Sequence, residues 1–485
     1  MHYLGKKGYT ILKSNISEKE EQFIKNELMV KAFVPKSPVQ PEPFPLYRES
    51  SSKYYVPRHF GVDTFGDFTE NKLSRGDDID IEFNGGLREY QINIVDKYLN
   101  HVKDSGGGLL DVDPGKGKTV MGLYIISKLK KKTLVIVHKS FLLNQWIERI
   151  EQFLPTARVG KIQGQIIDID DKDIVIGMLQ SLSQKDYPDG LFDTFGLSIY
   201  DETHHLGAEV FSRCMAKSIT NYTLGLSGTM QRKDGLTKVF KMFLGDVVHK
   251  EKTNTKEHKV LVKAIKYSVD DEDFNEIKYD YRGNPLYSTM ISKLCTYNRR
   301  SEFILKVLEN ELSNNKDQQI MVLAHNKSLI TYLFKAIEHK NIASVGYYIG
   351  GMKEEELKKS ESKKIIIATY AMASEGLDIK TLTTLLMASP KTDVCQSVGR
   401  ILRTKHTQPL VIDLIDSHDI FEKQWLKRRQ YYMKQKYNII STTNNTYLHD
   451  KWDVIYDPEK GKESEKKIKA KEEPLKGKCL ITVVT

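Results

Sequence analysis

The sequence predicts an α/β protein: two tandem parallel-sheet domains, a small N-terminal accessory domain and a charged C-terminal tail. Two blocks of apolar, strand-sized runs alternate with helical segments. That alternation requires a parallel sheet covered by helices on both faces. At 485 residues and roughly 150 residues per domain, the chain has room for about three domains. The expected boundaries are 1–80 for the accessory domain, 81–252 and 299–440 for the two sheet domains, 253–298 for a connector or insertion, and 441–485 for the tail.

Residues 1–80 are mixed and polar, with short β-like pieces at Leu28–Phe33 and Lys53–Val56 around a Pro-rich extended stretch, Pro35–Pro45. The first block carries the runs Leu109–Val112, Thr133–Val137, Asp173–Gly177, Leu197–Tyr200 and Tyr222–Leu226, with helices over Val120–Leu129 and Phe141–Phe153. The second carries Ile320–Ala324, Ala343–Ile349, Lys364–Thr369, Thr384–Ala388 and Pro409–Asp413. Residues 253–298 are polar and irregular. A basic helical stretch from Lys423 to Lys436 reads as a solvated face, and 450–478 mixes Lys with Glu and Asp as a mobile segment would.

Composition narrows the function classes. No apolar run approaches the ~20 residues a membrane span needs, so no membrane partner is expected. The N-terminus lacks the apolar core of a secretory signal, which predicts an intracellular protein. The four cysteines, Cys214, Cys295, Cys395 and Cys479, are far apart and form no CxxC pair, so neither a disulfide framework nor a zinc ribbon is supported. Lys plus Arg outnumber Asp plus Glu by 74 to 64, a formal +10, which suits a polyanionic partner but does not prove one.

Chemistry enters at Asp113-Pro-Gly-Lys-Gly-Lys-Thr119, directly after a predicted strand and opening a helix. Gly115 and Gly117 let backbone N–H groups converge on phosphate oxygens, and the helix N-terminus adds a favourable field. Lys118 would neutralise β- and γ-phosphates and Thr119 would offer its hydroxyl to Mg²⁺. The strict GxxxxGK[ST] string is broken, because Val112 holds the first glycine position. A second signal, Asp201-Glu-Thr-His-His205, ends the apolar run Leu197–Tyr200. Asp201 at a strand end is placed to hold Mg²⁺, and Glu202 to orient and deprotonate the attacking water. A metal cluster built on the adjacent histidines is disfavoured, since their spacing does not put both on one helix face.

With these residues in place, the chain over 85–405 resembles superfamily-2 helicases and translocases. Leu87-Arg-Glu-Tyr-Gln91 is similar to the adenine-recognition element, Leu226-Ser-Gly-Thr229 to motif III, Ala368–Asp378 to motif V and Gln396-Ser-Val-Gly-Arg-Ile-Leu-Arg403 to motif VI. Single strings of this length recur by chance; six in this order do not. The DETH string and Met230–Gly235 after motif III resemble the XPB-like DExH branch, although Lys233 replaces the glutamate of that branch's RED element. The layout, with Gly8-Tyr-Thr10 and Leu46-Tyr-Arg-Glu-Ser50 near the start, looks like the helicases of nucleocytoplasmic large DNA viruses, of the poxvirus transcript-release type.

The resemblance implies two RecA-like domains with ATP and Mg²⁺ between them. Lys118, Asp201, Glu202, Arg400 and Arg403 would be catalytic, the two arginines stabilising charge on the γ-phosphate. Gln91, Gly115, Gly117, Lys118, Thr119, Gly376, Asp378 and Gln396 would bind the nucleotide, with Gln91 at the base and Asp378 at the ribose; Thr119 and Asp201 would hold the metal. Strand-end residues His138, Lys139, Gln180, Ser181, His325 and Thr369 would meet nucleic-acid phosphates, and Ser227 and Thr229 would couple the two sites. Trp146 is expected to pack a core rather than stack on a base. The expected function is an ATP-driven helicase or translocase on DNA rather than RNA, serving transcription (transcript release), replication or repair, in a viral factory or virion if the protein is viral. A monomer is expected, with the transcription or replication machinery as partner. The competing readings are an RNA-dependent ATPase and a non-catalytic, polymerase- or virion-associated scaffold. A P-loop kinase would lack the second block with its arginine pair.

Overall fold

A computed structural model describes residues 2–33, 40–113, 116–202, 208–228, 236–251, 260–375, 379–401 and 408–459. The chain divides into two compact units, Met1–Thr253 and Asn254–Thr485.

The first unit holds two larger sheets. The N-terminal one has five strands in the order Arg48–Glu49, Lys53–Val56, Gly8–Leu12, Tyr3–Gly5 and Glu70–Asn71. Strand alternation sends Tyr9, Ile11, Tyr54 and Val56 to one face, where Ile24 and Leu28 join them in one core. Ile24 comes from the helix Glu18–Glu27, which starts at a capping box: the Glu20 amide donates to Ser17 Oγ, and the Ser17 amide to Glu20 Oε2. The same core takes in Leu236 and Val239 at the helix Thr237–Leu244, so the N-terminal sheet is packed onto the rest of its unit.

The second sheet of this unit has eight strands. Their order is Ile166–Asp168, Val159–Gln163, Ile174–Met178, Thr133–Val137, Leu197–Asp201, Tyr222–Ser227, Gly107–Val112 and Val247–Glu251. All pairings are parallel except the edge hairpin Val159–Gln163 with Ile166–Asp168. The central strands are buried on both faces, which is why they read as unbroken apolar runs. Register sets Asp201 beside Leu226 and Ser227 beside Asp111. Three strands that are remote in sequence therefore end together at one edge of the sheet.

The second unit is built on another eight-stranded sheet, ordered Val345–Tyr348, Ile365–Thr369, Ile320–Ala324, Thr384–Met387, Leu410–Asp416, Leu261–Tyr267, Asn438–Thr443 and Asp453–Tyr456. Only the last pairing is antiparallel. Apolar cores lie on both faces. Each of the two units thus carries one parallel, helix-covered sheet, the tandem RecA-like architecture.

Two expectations are corrected here. The stretch 253–298 is more than a connector: Leu261–Tyr267 is an interior strand, and Met290, Ile291 and Leu294 of the helix Tyr287–Thr296 join the core. Lys263 breaks the apolar pattern of that strand, yet its ammonium bonds both oxygens of the buried Glu311 at 2.8 Å. The tail does not begin at 441 either, because Asn438–Thr443 and Asp453–Tyr456 extend the sheet and Tyr447 is buried. Polar Asn, Ser and Thr in Asn438–Thr443, and the shortness of Asp453–Tyr456, hid them from a reading based on apolar runs. In the basic helix Asp419–Lys434, Lys423 and Lys427 are exposed, but Arg428 is buried.

Among the described residues, no helix is long and apolar enough to cross a membrane. Cys214, Cys295 and Cys395 are free thiols.

Candidate active site

The glycine-rich loop runs from the end of Gly107–Val112 into the helix Lys118–Leu129. Gly117 caps that helix at φ +80°, a conformation open to glycine at no steric cost. A Cβ there would also stand 2.5 Å from Gln91 Nε2. Gln91 is buried, donates to the Lys116 carbonyl at 2.9 Å and accepts from the Arg88 amide at 2.9 Å. With the Tyr90 hydroxyl donating to the same carbonyl at 3.0 Å, Gln91 ties the start of the helix Glu89–Ser105 to the loop.

Lys118 is buried and its ammonium contacts Glu202 Oε1 at 2.8 Å. The two residues are far apart in sequence; the strand order brings them together. Glu202 lies one residue past the strand Leu197–Asp201 with φ +51°, a left-handed turn that costs a non-glycine residue of order 1–3 kcal/mol. The Lys118 pairing offsets that strain.

Asp201 is buried, and burial first, then the neighbouring Glu202 charge, raises its pKa. Lys118 and the Trp146 indole pull in the other direction, Trp146 Nε1 donating to Asp201 Oδ2 at 2.9 Å. Trp146 sits in the core as expected, on the helix Ser140–Phe153. Its second task, orienting Asp201, escaped the sequence reading. The available signal was that a buried indole N–H needs an acceptor. Thr119 follows Lys118 and is half-buried.

A carboxylate and a hydroxyl are the hard oxygen donors that Mg²⁺ takes when phosphates complete its shell. Among the described residues no cluster of three His, Cys, Asp or Glu side chains could hold a metal ion.

Other candidates fall at strand ends of their own unit. His138 is buried, and its carbonyl accepts from Gln180 Nε2 at 3.0 Å. Lys139 is half-buried and burial lowers its pKa. Ser181 Oγ accepts from the Gly164 amide at 2.9 Å, and Ser227 is fully buried at the end of its strand.

In the second unit, Thr369 Oγ1 accepts from the Met372 amide at 3.4 Å. His325 packs its ring 4.6 Å from that of Tyr370, and its Nδ1 meets Ser389 Oγ at 2.9 Å. Desolvation, then Lys391, lowers His325 to about 4, so at neutral pH it offers hydrogen bonds and no positive charge. The Tyr370 hydroxyl donates to the Ser389 carbonyl at 2.6 Å.

Two buried ion pairs brace this strand edge. Arg300 binds Asp416 at 2.6 and 2.9 Å and the Ala388 carbonyl at 2.8 Å. Arg428 binds Asp413 twice at 2.8 Å and the Lys391 carbonyl at 2.6 Å. The sequence reading missed both; acids inside the apolar strand Leu410–Asp416 were the signal. Gln396 and Arg400 lie on the helix Cys395–Arg400. Gly115, Thr229, Gly376, Asp378 and Arg403, like His204 and His205, lie outside the described residues.

Comparison with known proteins identifies the family. Residues 84–232 match the family described as "Type III restriction enzyme, res subunit", and residues 303–405 match "Helicase conserved C-terminal domain". The chain is 36% identical over 466 residues to the protein of Acanthamoeba polyphaga mimivirus named "Putative ATP-dependent RNA helicase L396", covering 93% of this chain and 89% of that one. The chain therefore belongs to the superfamily-2 helicases, enzymes that hydrolyse ATP and act on nucleic acid.

More distant similarity extends to other viruses. It is 25% identical over 376 residues to "Putative helicase 161L" of Invertebrate iridescent virus 6, covering 73% of this chain and 83% of that one. It is 26% identical over 380 residues to "Putative ATP-dependent RNA helicase QP509L" of African swine fever virus (isolate Pig/Kenya/KEN-50/1950), covering 73% and 74%.

Proposed function

We propose that this chain is an ATP-driven translocase or helicase of the XPB-like DExH branch, acting on duplex or forked DNA in viral transcript release, replication or repair. The observation that carries the catalytic half is the Lys118–Glu202 contact beside buried Asp201 at one sheet edge. Lys118 leaves Glu202 to meet the β- and γ-phosphates, which frees Glu202 to orient a water and take its proton. Thr119 and Asp201 would hold Mg²⁺, which when bound neutralises charge on the phosphates. Arg400 and Arg403 are assigned from sequence to the γ-phosphate, Gln91 to the adenine edge, and Gly376, Asp378 and Gln396 to the rest of the nucleotide.

Strand-end side chains of both units, among them Lys139, Gln180 and Thr369, would contact phosphates rather than bases, giving binding that is sequence-blind and salt-dependent. A second reading, RNA as the track, is favoured by the names of the mimivirus and African swine fever virus relatives. ATP turnover measured in parallel with single-stranded DNA, duplex DNA and RNA over a salt series tests both. The DNA reading expects the largest stimulation from duplex or forked DNA, weakening as salt rises. Stimulation by RNA alone would replace it with the second reading, and equal rates with and without polynucleotide would refute both.

A further inference from the structure

The first unit contains a cavity of about 190 Å³, lined by none of Gln91, Lys118, Thr119, Asp201 and Glu202, where the N-terminal sheet meets the helix Ala208–Lys217 and the strand Tyr222–Ser227. Its walls are largely apolar, with Leu46, Tyr200, Met215, Phe243 and Leu244 among them. Five cations also line it: Lys7, Arg48, Arg58, Arg213 and Lys217; among the described residues no Asp or Glu does. Arg213 and Lys217 are answered by Glu209 and Asp186 nearby. Arg48 is not: its Nη2 donates to the carbonyls of Lys7 at 3.1 Å and Ala216 at 2.9 Å, and no carboxylate pairs with it among the described residues.

Arg58 is more tightly held. Its Nη1 donates to the Asn221 carbonyl at 2.7 Å, and its Nε is buried with no partner among the described residues. The guanidinium lies so close over Gly106 that a Cβ there would fall 2.0 Å from Nη2. Burial pulls its pKa down to about 10, opposed only by Tyr222 and Tyr98. This half-buried cation meets one carbonyl and the face of the Phe68 ring, 5.8 Å away, and so remains short of countercharge.

We propose that this cavity binds a small aromatic anion, one ring among the apolar walls and a phosphate or carboxylate at Arg48 and Arg58. Size supports the ring: an apolar cavity of ~150 Å³ is enough to hold benzene. Charge supports the anion, because a guanidinium pairs with either head group through two parallel hydrogen bonds. The walls come from both the N-terminal sheet and the helicase sheet, so the occupant would tie the two together.

The test uses phenyl phosphate as the probe, titrated calorimetrically into the full chain with excess Mg·ADP present to occupy the nucleotide site. One equivalent should bind, and Arg48→Gln or Arg58→Gln should weaken it tenfold or more. Ala216→Phe fills the cavity while leaving every cation in place, and should abolish binding with the circular dichroism spectrum unchanged. Absence of binding to the wild-type chain would overturn the proposal, as would undiminished binding to Ala216→Phe. Benzyl alcohol or inorganic phosphate binding as tightly as phenyl phosphate would also overturn it, since neither carries both halves of the ligand.

Discussion

Replacing Glu202 by Gln should separate nucleotide binding from turnover. Lys118 is paired with Glu202 at 2.8 Å, so an incoming phosphate has to displace a carboxylate. At that separation and an effective dielectric of 20 the gross attraction is about 6 kcal/mol. After desolvation, a hydrogen bond to a charged group retains about 1.5–3 kcal/mol. Gln keeps the shape but gives up most of that attraction. Binding of Mg·ADP, followed with a fluorescent analogue, should therefore tighten by about 10–100-fold. Single-turnover hydrolysis at saturating polynucleotide should fall by about 10²–10⁴, the usual contribution of a positioned base. In a Lys118→Ala background the tightening should vanish, because there is no ammonium left to release. Equal or weaker nucleotide binding by Glu202→Gln would refute the competition, and hydrolysis within tenfold of wild type would refute the role given to Glu202.

Three further perturbations probe the surroundings. Trp146→Phe removes the N–H that meets Asp201 and thins a packed core, so the first unit should lose about 2–4 kcal/mol in chemical denaturation; a loss under 0.5 kcal/mol would mean the indole holds nothing. Arg428→Met strands the buried Asp413 and should cost the second unit about 3–5 kcal/mol, read from the fluorescence of the adjacent Trp425. Adding Asp413→Leu should recover more than half of that, and no recovery would show that packing, not charge, sets the cost. His59 is held down to about 4 by burial and by Arg58, against an ordinary 6.5, so the fold binds fewer protons than the unfolded chain between those values. Stability of the first unit should be full above pH 6.5 and decline by about 3 kcal/mol as pH falls towards 4, and His59→Phe should flatten that slope.

Much of this architecture was legible because parallel strands buried on both faces leave unbroken apolar runs; Thr133–Val137 and Ile320–Ala324 coincide with their predicted spans. Legibility failed where a charged side chain was satisfied from far away. Lys263 made an interior strand look like a linker, and its partner Glu311 belongs to a helix decades of residues downstream. The candidate site divides in the same way. Spacing alone picked out Lys118, Thr119, Asp201 and Glu202, since phosphate chemistry dictates which residue types stand next to a glycine loop and at a strand end.

Spacing could not reveal that Lys118 is already held by Glu202, or that Trp146 aims Asp201, because both contacts exist only once Thr133–Val137, Leu197–Asp201 and Gly107–Val112 take their places in the sheet. A local pattern singles out the candidate reacting groups; the strand order decides which contacts each would have to give up. That division explains why the most informative substitution is Glu202→Gln and not removal of the lysine. Lys118→Ala would delete the proposed phosphate contact under any topology, whereas the gain in nucleotide affinity expected of Glu202→Gln exists only if this strand order brings the pair together.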